Sequence, residues 1–202
     1  MRRRAAGERG TARLKGGRVG FTFIEVIVVL AVIGILATLV LPYLPLARYR
    51  MDGAVRGVAL VLVSAQRQAV KRQRDVVVSF DTATGTVYVH EDSNGNGQVD
   101  TGEPLRAFTL DDGVTFGRGG APARPMGTAS VTFTGRESGR PEVTFYRNGS
   151  TDEQGGLYLT TKQAMANPGH ENHARAIEVE RATGRVSWYY FNTTVDSWSR
   201  GF

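Results

Sequence analysis

Hydrophobic and polar positions divide the chain into segments with different periodicities. Residues 1–19 show no apolar periodicity, whereas the segment from Phe21 to Pro42 is almost continuously apolar. Residues 52–72 repeat apolar positions at three- and four-residue steps, and short strand-like segments follow from Val76 onward. These patterns predict an unstructured start, a very apolar helix, an amphipathic helix and then a β-rich region.

The apolar segment has the length of a membrane span. Sixteen residues from Val26 to Leu41 carry no charge, and the only charge near the start of the block is Glu25. As a helix rising about 1.5 Å per residue, Phe21 to Leu41 extends roughly 30 Å, which matches a hydrocarbon core. We therefore expect residues 21–43 to form a transmembrane helix.

Residues 44–74 are predicted to continue this helix in amphipathic form. Gly34, Pro42 and Pro45 are the positions at which the long helix can bend. The predicted apolar stripe consists of Val55, Val58, Ala59, Leu62, Ala65 and Ala69. We expect that stripe to pack against a globular domain.

The remaining residues, 75–202, are predicted to form a β-rich globular domain. Gly-containing hairpin turns are predicted at residues 81–85 and 181–184, and polar or Gly-rich loops at 117–127 and 162–175. Nine predicted strands cover 76–80, 86–90, 105–110, 114–116, 131–133, 142–146, 157–160, 176–180 and 185–191. The predicted fold class is α+β, with the long N-terminal helix packed on an antiparallel sheet.

The net charge of +6 comes from the first twenty residues. These contain seven basic side chains and one acidic side chain. Removing them from the 25 basic and 19 acidic side chains of the whole chain leaves eighteen of each. The basic block favours a cytoplasmic N-terminus before the apolar helix, and its charge gives no reason to infer a general nucleic-acid partner.

The sequence contains no pattern that indicates catalysis. The absence of cysteine excludes disulfides, thiolate nucleophiles and Cys-based zinc sites. His170 and His173 lack the four-residue spacing of the zinc-protease helix motif, and we expect them to be solvated loop residues. No nucleophile elbow, P-loop or dinucleotide fingerprint is found. We therefore expect the protein not to be an enzyme.

Gly20-Phe21-Thr22-Phe23-Ile24-Glu25, followed by the apolar run, resembles the class III signal of type IV pilins and type II secretion pseudopilins. The resemblance implies that prepilin peptidase cuts between Gly20 and Phe21, so that residues 1–20 are a leader. It also implies N-methylation of Phe21. Glu25 and Pro42 match the glutamate and the helix-kinking proline of this family, and the resemblance assigns them to assembly.

The resemblance further implies a location and a set of partners. The protein would be anchored by one span in the bacterial inner membrane, with the domain in the periplasm, and would then enter a periplasmic or surface filament. Its partners would be other subunits, prepilin peptidase and the inner-membrane assembly platform. Cleavage creates an α-amino cation, which Glu25 of another subunit would attract strongly at low dielectric. Such a heterologous contact, repeated without closure, builds a filament.

A second motif lies between residues 92 and 103. Its acidic and amide residues match the ligand positions of a twelve-residue EF-hand loop, with Gly97 at the sharp turn, although no helices are predicted on either side. The matching residues are Asp92, Asn94, Asn96, Gln98, Asp100 and Glu103. No cofactor is required, and Ca²⁺ is the one candidate. The alternative is a turn whose side chains bond to their own backbone.

The C-terminal pattern from Asn148 to Val186 resembles the GspH/FimT group of minor pseudopilins. This implies a minor subunit of a type II secretion pseudopilus or a type IV pilus, which supports protein export or pilus assembly. An alternative is a tip subunit that binds DNA during natural transformation through Arg181 and Arg185. Arg200, Trp188, Tyr189, Tyr190 and Trp198 would complete that surface. The other interpretation of these residues is an alternating sheet with solvated arginines, which we favour over nucleic-acid binding.

Overall fold

The computed structural model describes residues 20–40, 46–96, 100–135 and 139–201. The chain divides into two compact units, Met1–Leu44 and Pro45–Phe202. The first unit contains helix α1 (Phe23–Val40), and the second contains all the other elements described below. Pro42 and Pro45, two of the predicted bend positions, lie outside the described residues.

Helix α1 covers most of the predicted apolar segment. It is 18 residues long, and the predicted membrane span from Phe21 to Leu41 extends beyond both of its ends. Within the described parts of the chain, no helix has both the length and the apolar character required to cross a membrane. The α-helical prediction for this segment is therefore confirmed over Phe23–Val40, and the prediction of a membrane span is not confirmed.

Helix α2 (Leu46–Arg72) begins nine residues before Val55, the first residue of the predicted apolar stripe, and carries that stripe into the core. Leu60, on the opposite side, is 68% exposed, and Arg56 and Arg67 are also exposed. The buried side chains of α2 recur at three- and four-residue steps, as expected for one helix face. They are Met51, Ala54, Val55, Val58, Leu62, Ala65 and Ala69.

The C-terminus of α2 is closed by a left-handed turn. Gln73 has a φ of 55°, which allows the Arg74 N–H to donate to the Ala69 carbonyl at 3.2 Å. The Gln73 side-chain amide donates to the Val70 carbonyl at 2.8 Å. These bonds satisfy carbonyls that the end of the helix leaves unpaired, and the turn leads directly into the first strand.

Two antiparallel sheets follow α2. Sheet A has the order β3-β2-β1-β5 and sheet B the order β4-β6-β7-β8-β9. The strands of sheet A are β1 (Asp75–Asp81), β2 (Thr86–Asp92), β3 (Leu105–Thr109) and β5 (Glu142–Phe145). The strands of sheet B are β4 (Val114–Phe116), β6 (Gly155–Thr161), β7 (Arg175–Val179), β8 (Val186–Asn192) and β9 (Ser197–Arg200). Helix α3 (Lys162–Ala166) and a 3₁₀ turn (Glu171–His173) lie between β6 and β7.

One hydrophobic core joins α2 to both sheets. The apolar stripe of α2 belongs to the same buried cluster as Val78 of sheet A and Ile177 of sheet B. At its centre, the Phe80 ring stacks on Phe133 at 5.6 Å and meets Phe116 edge-on at 6.2 Å. The helix and the two sheets of the second unit therefore share a single core.

The α+β fold class is confirmed, but several details differ from the prediction. The β-rich region forms two sheets rather than one, and the predicted strand at residues 131–133 is reduced to an isolated bridge between Val131 and Leu157. Strand β9 was not predicted, and the predicted loop at residues 162–175 contains α3 and the 3₁₀ turn. These elements are short, and their pairing or packing partners are distant in sequence, so local pattern alone gives little signal for them.

Candidate functional site

Glu25 and Thr22 form a reciprocal hydrogen-bond pair at the start of α1. The Thr22 hydroxyl accepts from the Glu25 N–H at 3.3 Å, and the Glu25 carboxylate accepts from the Thr22 N–H at 3.4 Å. This is a capping box, which satisfies two backbone donors that a helix N-terminus leaves unpaired. Thr-x-x-Glu is a recognisable sequence signal of a helix start, so Glu25 has a local capping role in addition to the assembly role that the family resemblance implies.

The surface of α1 is apolar on every side. Its large apolar side chains occupy consecutive positions, such as Val26 to Leu30, so they point in all directions around the helix axis. Those from Phe23 to Leu39 are between 44% and 81% exposed. Gly20 and Phe21, the predicted processing residues, are also exposed immediately before the helix. A helix of this kind is stable in lipid or among other helices rather than in water.

The described residues of the predicted calcium loop are joined by hydrogen bonds to one another. The Asp92 carboxylate accepts from the backbone N–H groups of Gly95 and Asn96 at 2.6 and 3.2 Å. The side-chain amides of Asn94 and Asn96 both donate to the Asp100 carboxylate at 2.6 Å. The loop is therefore held by side-chain bonds to its own members.

Gln98, the fourth of the six predicted ligands, lies outside the described residues, as does Gly97. Within the described ranges, no group of three or more His, Asp or Glu side chains is arranged to hold a metal ion. The calcium site stays a prediction.

Glu103, the last predicted ligand, is held by a buried histidine. Its carboxylate lies 2.5 Å from His90 Nε2, and the two side chains are 7% and 3% exposed. The Ser93 and Asp100 N–H groups donate to the same carboxylate at 2.7 and 3.1 Å. The hydrogen bond with His90 is the main cause that lowers the pKa of Glu103 from 4.5 to about 2, while burial opposes the shift.

The loop begins next to a buried carboxylate that ties sheet A to the C-terminal end of α2. Glu91 is 1% exposed, and its carboxylate accepts from Arg72 at 2.5 Å and from the Gln68 amide at 2.7 Å. Arg74 lies 3.5 Å from the same carboxylate and donates to the Ser93 hydroxyl at 3.1 Å. These partners compensate the burial of a charge, and they hold the first residues of the loop against α2.

The predicted basic and aromatic residues do not form one continuous surface. Trp188, Tyr189 and Tyr190 are consecutive in β8, and side chains alternate between the two faces of a strand. Trp188 packs against the main core, so its face is only partly available to a ligand. Arg181 and Arg185 are exposed near the β7–β8 turn, where Arg185 lies 3.4 Å from Glu180. This arrangement is closer to an alternating sheet with solvated arginines than to a stacking platform for nucleic acid.

An ion pair between buried Arg175 and half-buried Asp52 connects the first turns of α2 to the start of β7, and it was not predicted from the sequence. Arg175 is 1% exposed, and its Nε donates to Asp52 Oδ1 at 2.8 Å, with Nη2 at the same distance from that oxygen. Its Nη1 donates to the carbonyls of Asn172 and Ala174 at 2.8 and 3.0 Å. The only feature of the sequence that points to this ion pair is weak: Asp52 is the only acidic residue of α2.

Together these features define a pilin-like protein: an exposed apolar helix with a capped glutamate at its start, and a second helix packed on antiparallel sheets. The family model described as type II transport protein GspH matches residues 54–183. The chain belongs to the GspH family. The matched region covers most of α2 and continues into the β7–β8 turn.

Proteins similar to this chain include a pilin-like protein and two solved structures of a minor pseudopilin. The pilin-like protein PilA1 of Thermus thermophilus is 29% identical over 136 residues, which cover 58% of this chain and 86% of that protein. A structure of the minor pseudopilin EpsH from the type 2 secretion system of Vibrio cholerae superposes with a TM-score of 0.46 at 13% identity. That superposition covers 70% of this chain and 97% of EpsH. A second EpsH structure gives a TM-score of 0.43, also at 13% identity, over 69% of this chain and 95% of that chain. The family and these relatives give no support to the DNA-binding alternative.

The lowered pKa of Glu103 predicts an acid-sensitive contribution to stability. A carboxylate whose pKa is lower in the folded state stabilises the fold above its unfolded pKa and loses this effect as the pH falls to the folded value. Denaturant unfolding of the wild type and Glu103→Gln should therefore show a stability difference that shrinks between pH 4.5 and about 2. His90→Gln, which removes the main hydrogen-bond partner, should lose most of the same dependence. Parallel curves for wild type and Glu103→Gln across this window would contradict the assignment.

The EF-hand-like spacing predicts that Ca²⁺ stabilises the protein. At about a hundredfold excess over its dissociation constant, the ion should raise the melting temperature by about 5 to 10 °C, and a chelator should reverse the shift. Asp100→Asn, which keeps the size of the side chain but removes its charge, should weaken the effect. Asp111→Asn, an exposed residue outside the loop, should not. No calcium heat on calorimetric titration, with melting unchanged by chelator, would leave only the self-bonded turn.

Proposed function

We propose that this protein is a minor pseudopilin that is processed after Gly20, methylated at Phe21 and assembled into a filament of the type II secretion or type IV pilus class. In this role the protein acts by assembly rather than by catalysis. Before assembly, residues 21–43 anchor the chain in the inner membrane with the β-rich domain in the periplasm. Prepilin peptidase and the inner-membrane assembly platform are then its processing and assembly partners.

The observation that carries this proposal is the surface of α1. Its exposed apolar side chains need an apolar environment on all sides, which a membrane supplies before assembly and neighbouring helices supply afterwards. Membership of the GspH family supports the same role. A soluble catalytic or ligand-binding domain would have no physical reason to keep such a helix unburied.

Glu25 has a different task in each of these environments. In the single chain its carboxylate caps the helix through Thr22, and its position near the positive end of the helix dipole stabilises the charge. In the filament the amino group of a neighbouring Phe21 would supply a stronger partner. Burying either the Glu25 carboxylate or the Phe21 amine alone is costly, so the pair would favour the one stagger between subunits that brings them together.

Intact-mass measurement of the membrane-extracted protein tests the proposal directly. We expect a chain that begins at Phe21 and is heavier by one methyl group. Gly20→Ala alters the residue before the predicted cut and should leave residues 1–20 attached, whereas Gly10→Ala, within the leader, should be processed normally. A wild-type chain that retains Met1 to Gly20 would overturn the proposal.

Replacement of Glu25 separates its capping role from its role in assembly. Glu25→Gln keeps a hydrogen-bond acceptor for the Thr22 N–H but removes the charge, whereas Glu25→Ala removes both. If the charge pairs with a neighbouring amine, both variants should insert into the membrane and enter filaments at least about tenfold less efficiently than wild type. Counting of labelled subunits in sheared filaments measures this.

Thr22→Val is the matched control, because it loses the capping hydroxyl and keeps the carboxylate. We expect it to assemble much better than either Glu25 variant. Normal incorporation of Glu25→Gln would show that capping, not charge, is what Glu25 contributes.

A further inference from the structure

A polar pocket lies beside the first turns of α2 in the second unit. It has a volume of about 350 Å³ and is bounded by α2, the 3₁₀ turn, the start of β7, the end of β8 and the turn that follows β8. The side chains with polar groups that line it are Arg48, Asn172, Arg175, Tyr190, Asn192, Thr193 and Thr194. Both charged groups of this lining are cations, so the pocket differs from the apolar groove between α2 and β3.

The guanidinium of Arg175 is fixed in place at this pocket. Two of its nitrogens are held by Asp52 and the third by the carbonyls of Asn172 and Ala174. Asp52 balances one positive charge, so with Arg48 the group of three side chains keeps a net charge of +1. Burial, and to a smaller extent the Arg48 charge, lower the pKa of Arg175, whereas Asp52 raises it. An anion between the two guanidinium groups would relieve their repulsion.

Several neutral polar side chains at the pocket can donate hydrogen bonds. The Asn192 side-chain oxygen already accepts from the Thr194 N–H at 3.0 Å, so the group that Asn192 has left to offer is its NH₂. The hydroxyls of Thr193 and Thr194 add further donors to the lining. Fixed cations, amide donors and hydroxyls together suit a compact anion with several oxygen atoms.

We propose that this pocket binds a phosphate group, with Arg48 and Arg175 as its cationic partners. The exposed Arg48 guanidinium can donate two parallel N–H bonds to phosphate. Arg175, most of whose N–H groups already bond to Asp52, Asn172 and Ala174, contributes a fixed positive charge and its remaining Nη2 N–H. The phosphate has two sources that share this chemistry: free phosphate and the headgroup of an anionic phospholipid. Phosphate binding itself is independent of the function proposed above, whereas the lipid source rests on the proposed membrane anchor.

Chain length makes a lipid headgroup reachable. Arg48 is seven Cα–Cα steps beyond Leu41 at the end of the predicted span, and at full extension these steps cover at most about 25 Å. Arg48 therefore stays within that distance of the membrane boundary in any arrangement of the two units. Attraction to an anionic leaflet acts over about 10 Å, so this limit leaves Arg48 able to reach the headgroups and bind one.

The test uses the full-length chain in a neutral detergent and two probes. Calorimetric titration with inorganic phosphate measures the anion site, and native mass spectrometry with phosphatidylglycerol against phosphatidylcholine measures the lipid source. Arg48→Gln should weaken phosphate binding about tenfold or more, because it removes charge-assisted hydrogen bonds, and should reduce the preference for phosphatidylglycerol to the level that the basic residues 1–20 supply. Arg67→Gln, exposed on the same helix and outside the pocket, should change neither.

Each outcome decides the proposal. No phosphate heat in the wild type, or equal weakening by Arg48→Gln and Arg67→Gln, would overturn it, as would acetate binding as tightly as phosphate. Phosphate binding that depends on Arg48, with a lipid preference that Arg48→Gln leaves unchanged, would confirm the anion site and reject the headgroup as its source. Because Arg48 is exposed, an unchanged melting temperature of Arg48→Gln without ligand shows that the variant is folded. Failure of leader cleavage would leave the phosphate result intact, so the two proposals fail separately.

Discussion

The packing of α2 against two sheets at once is the constraint on which the second unit depends. One apolar stripe, from Met51 to Ala69, supplies the buried surface for strands of both sheets. Each sheet has one face that must be removed from water, and a helix is the shared cover that allows this in a domain of modest size. Because the side chains of this stripe are packed against strands of both sheets, replacing one by a larger or smaller residue should destabilise the unit.

Buried charges in this unit are compensated by partners from other elements. Glu91 of β2 meets Arg72 and Gln68 of α2, and Arg175 of β7 meets Asp52 near the other end of the same helix. Unpaired, each charge would oppose folding strongly, so these contacts restrict how α2 lies on the sheets. The two ends of α2 are therefore positioned by directional bonds and its middle by apolar packing.

Separate stabilisation of α1 and of the second unit explains how one chain can suit both a membrane and a filament. Helix α1 has an apolar surface on all sides and a single capped carboxylate, whereas the second unit has its own core and its own ion pairs. A change in what surrounds α1 therefore need not disturb the core of the second unit. This separation fits a subunit that is stored in a membrane and later packed among helices, as proposed above for this member of the GspH family.

Residue pattern alone determined the features that depend on local periodicity. The apolar run predicted α1, three- and four-residue steps predicted the stripe of α2, and alternating side chains with glycine turns located most strands within a few residues. Tertiary structure alone decided the rest. Strand β9 exists because β8 offers it a hydrogen-bonding edge, and the β strands divide into two sheets because both can pack on α2. The contact between Arg175 and Asp52 spans 123 residues, and no local pattern encodes a bond between side chains that only folding brings together.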